Sequence, residues 1–107
     1  MNTKTNHHSN CTIALTGLHD VVDPEVGLNV VDMGLIYGLD FDETQNKIDV
    51  LMTLSTRFCP MGESIVDSVT NNLKTNFPDW NVEVQLTFDP SWNFEMISDE
   101  GRIFLNR

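Results

Sequence analysis

The sequence predicts an α+β fold: a small mixed three-stranded sheet with helices packed on one face, in the order α-β-β-α-β and closing on a short C-terminal helix. Three observations carry this expectation. Apolar residues recur at helical spacing in two separate segments, 11–22 and 61–75. Two strand-like runs, 35–41 and 47–54, flank the polar stretch Asp42-Glu43-Thr44-Gln45-Asn46, the pattern of an antiparallel hairpin. A third run, 82–88, alternates strictly after the second helical segment, so it should join the sheet through a crossover connection.

Taken in order, residues 1–10 hold no apolar anchor after Met1 and read as a frayed tail, leaving 11–107 as one domain. In the first helix Ala14, Leu18, Val21 and Val22 fall on one face, with Asn10 as the expected N-cap and Pro24 as the stop. Asp23-Pro24-Glu25-Val26-Gly27 is turn chemistry, and Asn29 to Gly34 continues as a short irregular or single-turn helical segment. Ile48, Val50 and Met52 share one face of the second strand. Pro60 suits the first position of the second helix, where its missing N–H costs nothing, and Glu63 in the first turn complements the helix dipole. Met61, Ile65, Val66, Val69 and Leu73 form that helix's apolar face, and Pro78 bounds it. Val82, Val84, Leu86 and Phe88 alternate with polar partners as a half-buried strand, ended by Asp89-Pro90-Ser91-Trp92. Ser98 ahead of Asp99 and Glu100 signals the last helix.

At 107 residues, with 40% hydrophobic and 21% charged side chains, the composition is that of one ordinary globular domain. Lys+Arg number 6 against 16 Asp+Glu, a formal charge of −10. That balance argues against nucleic acid and anionic membrane surfaces, whose phosphates call for clustered Lys and Arg. No apolar run approaches the roughly 20 residues a membrane helix needs, and the polar N-terminus lacks a secretory signal. Two cysteines, Cys11 and Cys59, cannot frame a disulfide scaffold, so a reduced, cytoplasmic domain is expected. Asp20, Asp23, Glu25, Asp32, Asp40, Asp42 and Glu43 fall between Lys4 and Lys47 with no basic residue among them. They form either a solvated face or a surface that steers cations or a basic partner.

The chemistry centres on Cys59. Placed one residue before Pro60, it occupies the expected N-cap of the second helix, where unpaired N–H groups and the dipole favour an anion. A thiol there ionises more readily, and the thiolate is the form that binds metals. Arg57 adds a nearby positive charge. The competing reading is an inert packing cysteine. One cysteine is no closed metal cage, and Cys-x-x-Cys is absent, so further ligands must come from a second chain, from Asp23 or Glu25, or from a client or small thiol. A Cys–His nucleophile has only His7, His8 and His19 to draw on, the first two in the tail. No glycine-rich phosphate loop is present. Trp80 reads as packing, whereas Trp92 either walls a site or caps the core.

Four segments in order carry a family resemblance: Asp23-Pro24-Glu25-Val26-Gly27, Asn29-Val30-Val31-Asp32-Met33-Gly34-Leu35-Ile36-Tyr37, Met52-Thr53-Leu54 leading to Cys59-Pro60, and Asp89-Pro90-Ser91-Trp92. Together they resemble the SufT/PaaD-like iron–sulfur cluster assembly domain family, over about residues 13–105. The resemblance implies a compact α+β fold and an accessory, non-catalytic role in maturing iron–sulfur proteins. The family cysteine maps onto Cys59, which would bind iron or a cluster transiently, and its acidic positions onto Asp23, Glu25 and Asp32, with Trp92 shaping the site. Ser91 stands where the family often has a second proline, which should loosen that turn slightly. The chain lacks the cysteine-rich C-terminal segment of phenylacetate-pathway members and a fused ATPase, so a small stand-alone factor is expected. Its expected partners are iron–sulfur client apoproteins and assembly scaffolds, with a homodimer as one way for two Cys59 thiolates to share a cluster. The alternative is an adapter that touches no metal and docks basic clients through its acidic surface, and a third reading is a thiol enzyme.

Overall fold

The computed structural model describes residues 4–5, 8–24, 26–55 and 62–106. Its order is β1 (Lys4–Thr5), α1 (His8–Leu18), β2 (Ile36–Asp42), β3 (Lys47–Met52), α2 (Gly62–Asn76), β4 (Asn81–Leu86), a 3-10 turn (Phe94–Met96) and α3 (Asp99–Leu105). The sheet runs β1-β2-β3-β4. β2 and β3 form the antiparallel hairpin, and β4 pairs in parallel with β3 through the α2 crossover. The α+β architecture with a mixed sheet of three full strands and a C-terminal helix is therefore the one the periodicities predict.

The hairpin turn is held by Asp42, whose Oδ1 accepts from Thr44 N at 3.0 Å, Thr44 Oγ1 at 2.6 Å and Gln45 N at 3.3 Å. These bonds, the Thr44 hydroxyl foremost, hold the Asp42 carboxyl below its ordinary pKa. Asn46 closes the turn at φ 50°, a left-handed position that asparagine tolerates.

Helices α1 and α2 pack on one sheet face. Ala14 and Leu18 from α1, and Ile65, Val69 and Leu73 from α2, meet Leu39, Phe41, Ile48, Val50 and Met52. Phe41 stands edge-on to Phe77 and to Trp80, each at 5.2 Å between centroids, so Trp80 is a packing residue. Cys11 is buried, its thiol 3.9 Å from the Leu39 carbonyl, and tethers α1 to β2. Among the described residues no element covers the opposite face. Register places Asp40, Asp42, Asp49 and Glu83 on it, with Lys47 bonded to Glu83 at 2.6 Å and to Asp49 at 3.3 Å. Those bonds, Glu83 foremost, raise the Lys47 pKa.

A β-bulge lies between Ile36 and Gly38, with Ile36 opposite Met52 and Gly38 opposite Leu51. Tyr37 is the extra residue. Strict alternation would send Ile36 and Leu39, three apart, to opposite faces; the bulge shifts the parity so that Ile36, Leu39 and Phe41 are all buried.

Several boundaries differ from the sequence expectation. Helix α1 begins at His8, which puts Asn10 inside it rather than at its cap, and Lys4–Thr5 pair in parallel with Gly38 and Leu39. α1 ends at Leu18 because Asp20 N and Val21 N bond back to Gly17 and Leu18, tightening the last turn. Val21 then bonds to Val30, and Val22 bridges to Asn29. Val22, expected on the buried helix face, is consequently exposed. Leu86, on the core-facing side of β4, is 46% exposed because β4 is an edge strand.

Candidate functional site

The described parts of the quoted sequence segments converge at one end of the sheet. Parallel pairing brings the C-terminal ends of β3 and β4 together, and the antiparallel hairpin adds the N-terminal end of β2. Thr53 leaves β3 with its N–H bonded to the Leu35 carbonyl at 2.8 Å, and Thr87 leaves β4 bonded to Met52 at 2.9 Å. The chain passes Ser55 and returns at Gly62, where α2 starts. A Cβ at Gly62 would lie 2.8 Å from Leu54 Cδ1, so the flanks of the 56–61 connection abut. Cys59 and Pro60 belong to that connection and lie outside the described residues, as does Glu25.

Tyr37 sits at the centre of this end. Its hydroxyl donates to the Pro90 carbonyl at 2.8 Å and lies 3.5 Å from Met96 Sδ. Burial pushes the hydroxyl pKa above 10.0, and a hydrogen bond with the Thr53 side chain partly opposes that. Thr53 itself is fully buried. One phenol thus links the strand that leads toward Cys59 with the strap that follows β4.

The strap is fixed at further points. Trp92 is half-buried, its indole N–H donating to the Met33 carbonyl at 2.6 Å while its ring stands edge-on to Phe94. Gly34 adopts φ 79°, and a Cβ there would collide with the Met96 carbonyl. Only glycine meets both conditions.

Asp32 forms a second knot. Its Oδ2 accepts from Asn29 Nδ2 at 2.7 Å and its Oδ1 from Ser98 Oγ at 2.8 Å. Asp32 N donates to Asn29 Oδ1 at 2.8 Å, and Ser98 N donates to the Asp32 carbonyl at 2.8 Å. Ser98 in turn caps α3 by accepting from Gly101 N at 3.0 Å. Both carboxylate oxygens are thereby committed to shaping the turn and anchoring α3. His19 lies close, its Nε2 3.9 Å from Asp32 Oδ1, while Nδ1 stands 2.7 Å from the Leu15 carbonyl and so carries the proton.

Asp23 is 1% exposed. Its backbone closes the turn: Asp23 N donates to Leu28 O at 2.9 Å, and Gly27 N to Asp23 O at 2.7 Å with Gly27 at φ 81°. The turns of Asp23 and Asp32 are contiguous, and Trp92 reaches the second through Met33. Among the described residues no group of three or more His, Cys, Asp or Glu side chains stands together to hold a metal ion. No described helix is long and apolar enough to cross a membrane. Tyr37 and Thr53 are the site-end residues to which residue-type reasoning assigns no role; Ser98, expected as the start signal of the last helix, is its N-cap, and only its bond to Asp32 goes unforeseen. The signal that could have found Tyr37 is the odd spacing of Ile36 and Leu39, which demands a bulge.

The chain is 36% identical over 88 residues to an Fe-S protein maturation auxiliary factor of Porphyromonas gingivalis (strain ATCC BAA-308 / W83), covering 82% of this chain and 83% of that protein. It is 35% identical over 85 residues to the Fe-S protein maturation auxiliary factor SufT of Staphylococcus aureus (strain USA300), covering 79% and 96%. A crystal structure of a domain of unknown function from Bacillus anthracis superposes with a TM-score of 0.86 at 33% identity, over 92% of this chain and 93% of that one. Residues 14–86, from α1 to the end of β4, match the model of a family described as iron–sulfur cluster assembly protein, and the chain belongs to that family.

Proposed function

We infer that this protein is a non-catalytic auxiliary factor in iron–sulfur protein maturation, binding iron or a cluster as cargo through the Cys59 thiolate and passing it to client apoproteins. The observation that supports the reading is the convergence of the Thr53–Leu54 strand end, the Tyr37 bulge and the Trp92 strap at the end of the sheet where the chain leaves at Ser55 and returns at Gly62, the two residues that bracket Cys59 in sequence. Family membership and the names of the curated relatives point the same way. Binding would release the thiol proton, and the thiolate would be one ligand among several. Client residues or small thiols would complete the coordination, since the Asp32 carboxylate is taken up by Asn29 and Ser98. An incomplete set of protein ligands suits release. Asp23, Asp32 and Trp92 would act by shaping the site, as would Glu25, two residues after Asp23 in sequence.

A second reading is favoured by the open sheet face, where Asp49 and Glu83 bond Lys47, Asp42 stands opposite it and Asp40 faces Asp49. In it the acidic face docks a basic client or scaffold and no metal is bound. Anaerobic reconstitution with ferrous iron and sulfide separates the two. The first reading expects visible absorption from the wild type and its loss in Cys59→Ala. A colourless wild type, together with a Cys59→Ala variant that still supports client maturation in cells, leaves the docking reading in its place.

A further inference from the structure

The outer edge of β4 is a self-complementary strand. Asn81 N bonds to Asn46 O at 2.8 Å and Thr87 N to Met52 O at 2.9 Å, so the odd-numbered residues of this strand turn their backbone groups toward β3. Val82, Val84 and Leu86 therefore present their N–H and C=O groups outward. Among the described residues nothing pairs with that edge, because β4 ends the strand order. The devices that usually blunt an edge are missing: Asn81–Leu86 contains no proline and no lysine, and its single charge, Glu83, is neutralised by Lys47 at 2.6 Å.

We propose that two copies of this chain associate through β4, antiparallel about a two-fold axis at Val84, to form one continuous sheet. Parity and charge pick out this occupant. In this register Val84 opposes its own counterpart and Val82 opposes Leu86 of the second copy. These are the residues whose backbone groups point outward, so each exchanges both of its hydrogen bonds. Their side chains lie on the core-facing side, where Leu86 is 46% exposed and would be covered by Val82 of the second copy. On the open face Glu83 falls opposite Gln85, so no carboxylate meets a carboxylate across the axis. At about 3.3 Å per residue the two Thr87 positions stand about 20 Å apart. Each copy thus presents its site end separately, and this interface does not join two sites.

Sedimentation equilibrium of the full chain over rising concentration tests the pairing. The expected result is an average mass climbing from 12.1 kDa toward twice that value, more readily at higher ionic strength because each copy carries −10. Val84→Pro removes an outward N–H, a loss an edge strand tolerates, and trims a half-buried side chain that packs on the core, so it should abolish association at the cost of a modest drop in the thermal unfolding midpoint. Gln85→Lys places a cation opposite Glu83 twice and should tighten the dimer roughly two- to thirty-fold, whereas Gln85→Glu should weaken it by a similar factor. The Gln85 pair decides the matter even if the proline variant does not fold. A wild type that stays monomeric into the millimolar range overturns the proposal, as does association indifferent to both Gln85 variants. A monomeric wild type whose edge captures an extended client peptide, with capture lost in Val84→Pro, assigns the edge to a client strand instead.

Discussion

The Tyr37 hydroxyl donates to the Pro90 carbonyl at 2.8 Å, joining two segments 53 residues apart in sequence. It is the only tyrosine in the chain, so tyrosinate absorbance reports on it alone. Burial holds the folded pKa above the ordinary 10.0, and the midpoint of the absorbance titration is expected above that value. The stabilisation is whole below the unfolded pKa of about 10 and is lost as pH rises through the folded value, because the unfolded chain gives up the proton first. Tyr37→Phe should remove that alkaline sensitivity and lower stability at neutral pH by about 0.5–1.5 kcal/mol, read by urea unfolding at both pH values.

Ser98→Ala breaks two bonds at once, the donation to Asp32 and the cap on Gly101. The expected cost is about 0.5–2 kcal/mol. Hydrogen exchange should show the loss locally: amides of α3 exchange faster while those of β2 and β3 keep their protection. Equal loss across the sheet would mean that the Asp32 knot supports the whole domain rather than its C-terminal helix.

Asp40 and Asp49 oppose each other across β2 and β3. Like charges in that position are destabilising, and Lys47 offsets them only in part because it is also bonded to Glu83. Asp40→Thr is expected to raise the urea midpoint, corresponding to about 0.2–1 kcal/mol, with the gain shrinking at high salt as the repulsion is screened.

Gly27 and Gly34 share a left-handed backbone, at φ 81° and 79°, but differ in surroundings. A Cβ at Gly27 meets nothing within 4 Å, whereas one at Gly34 meets the Met96 backbone. Gly27→Ala should cost only the conformational penalty of about 1–2 kcal/mol. Gly34→Ala should cost clearly more and should shift Trp92 fluorescence, because the strap must move off Met33. Equal melting temperatures for the two variants would contradict the close approach of Gly34 and Met96.

Helical and alternating periodicities follow from where apolar side chains must go, so α2, the hairpin, β4 and α3 are legible in the residues. The ordered segments from Asp23 to Pro60 lie within the residues that match the family, and their residue types and order belong to the chain itself. The meeting of those segments is not legible, because hydrogen bonds between residues far apart in sequence leave no local pattern. Asp32 illustrates the point: as a sequence symbol it is one more acid, and only Asn29 and Ser98 closing on its two oxygens make it an anchor. Tyr37 is the second case. Its bulge arises because Ile36 and Leu39 must both reach the core, a demand that exists only once the helices cover that face. Local chain chemistry determined the elements and their order; packing of distant elements decided which polar groups meet, since that depends on distances through space.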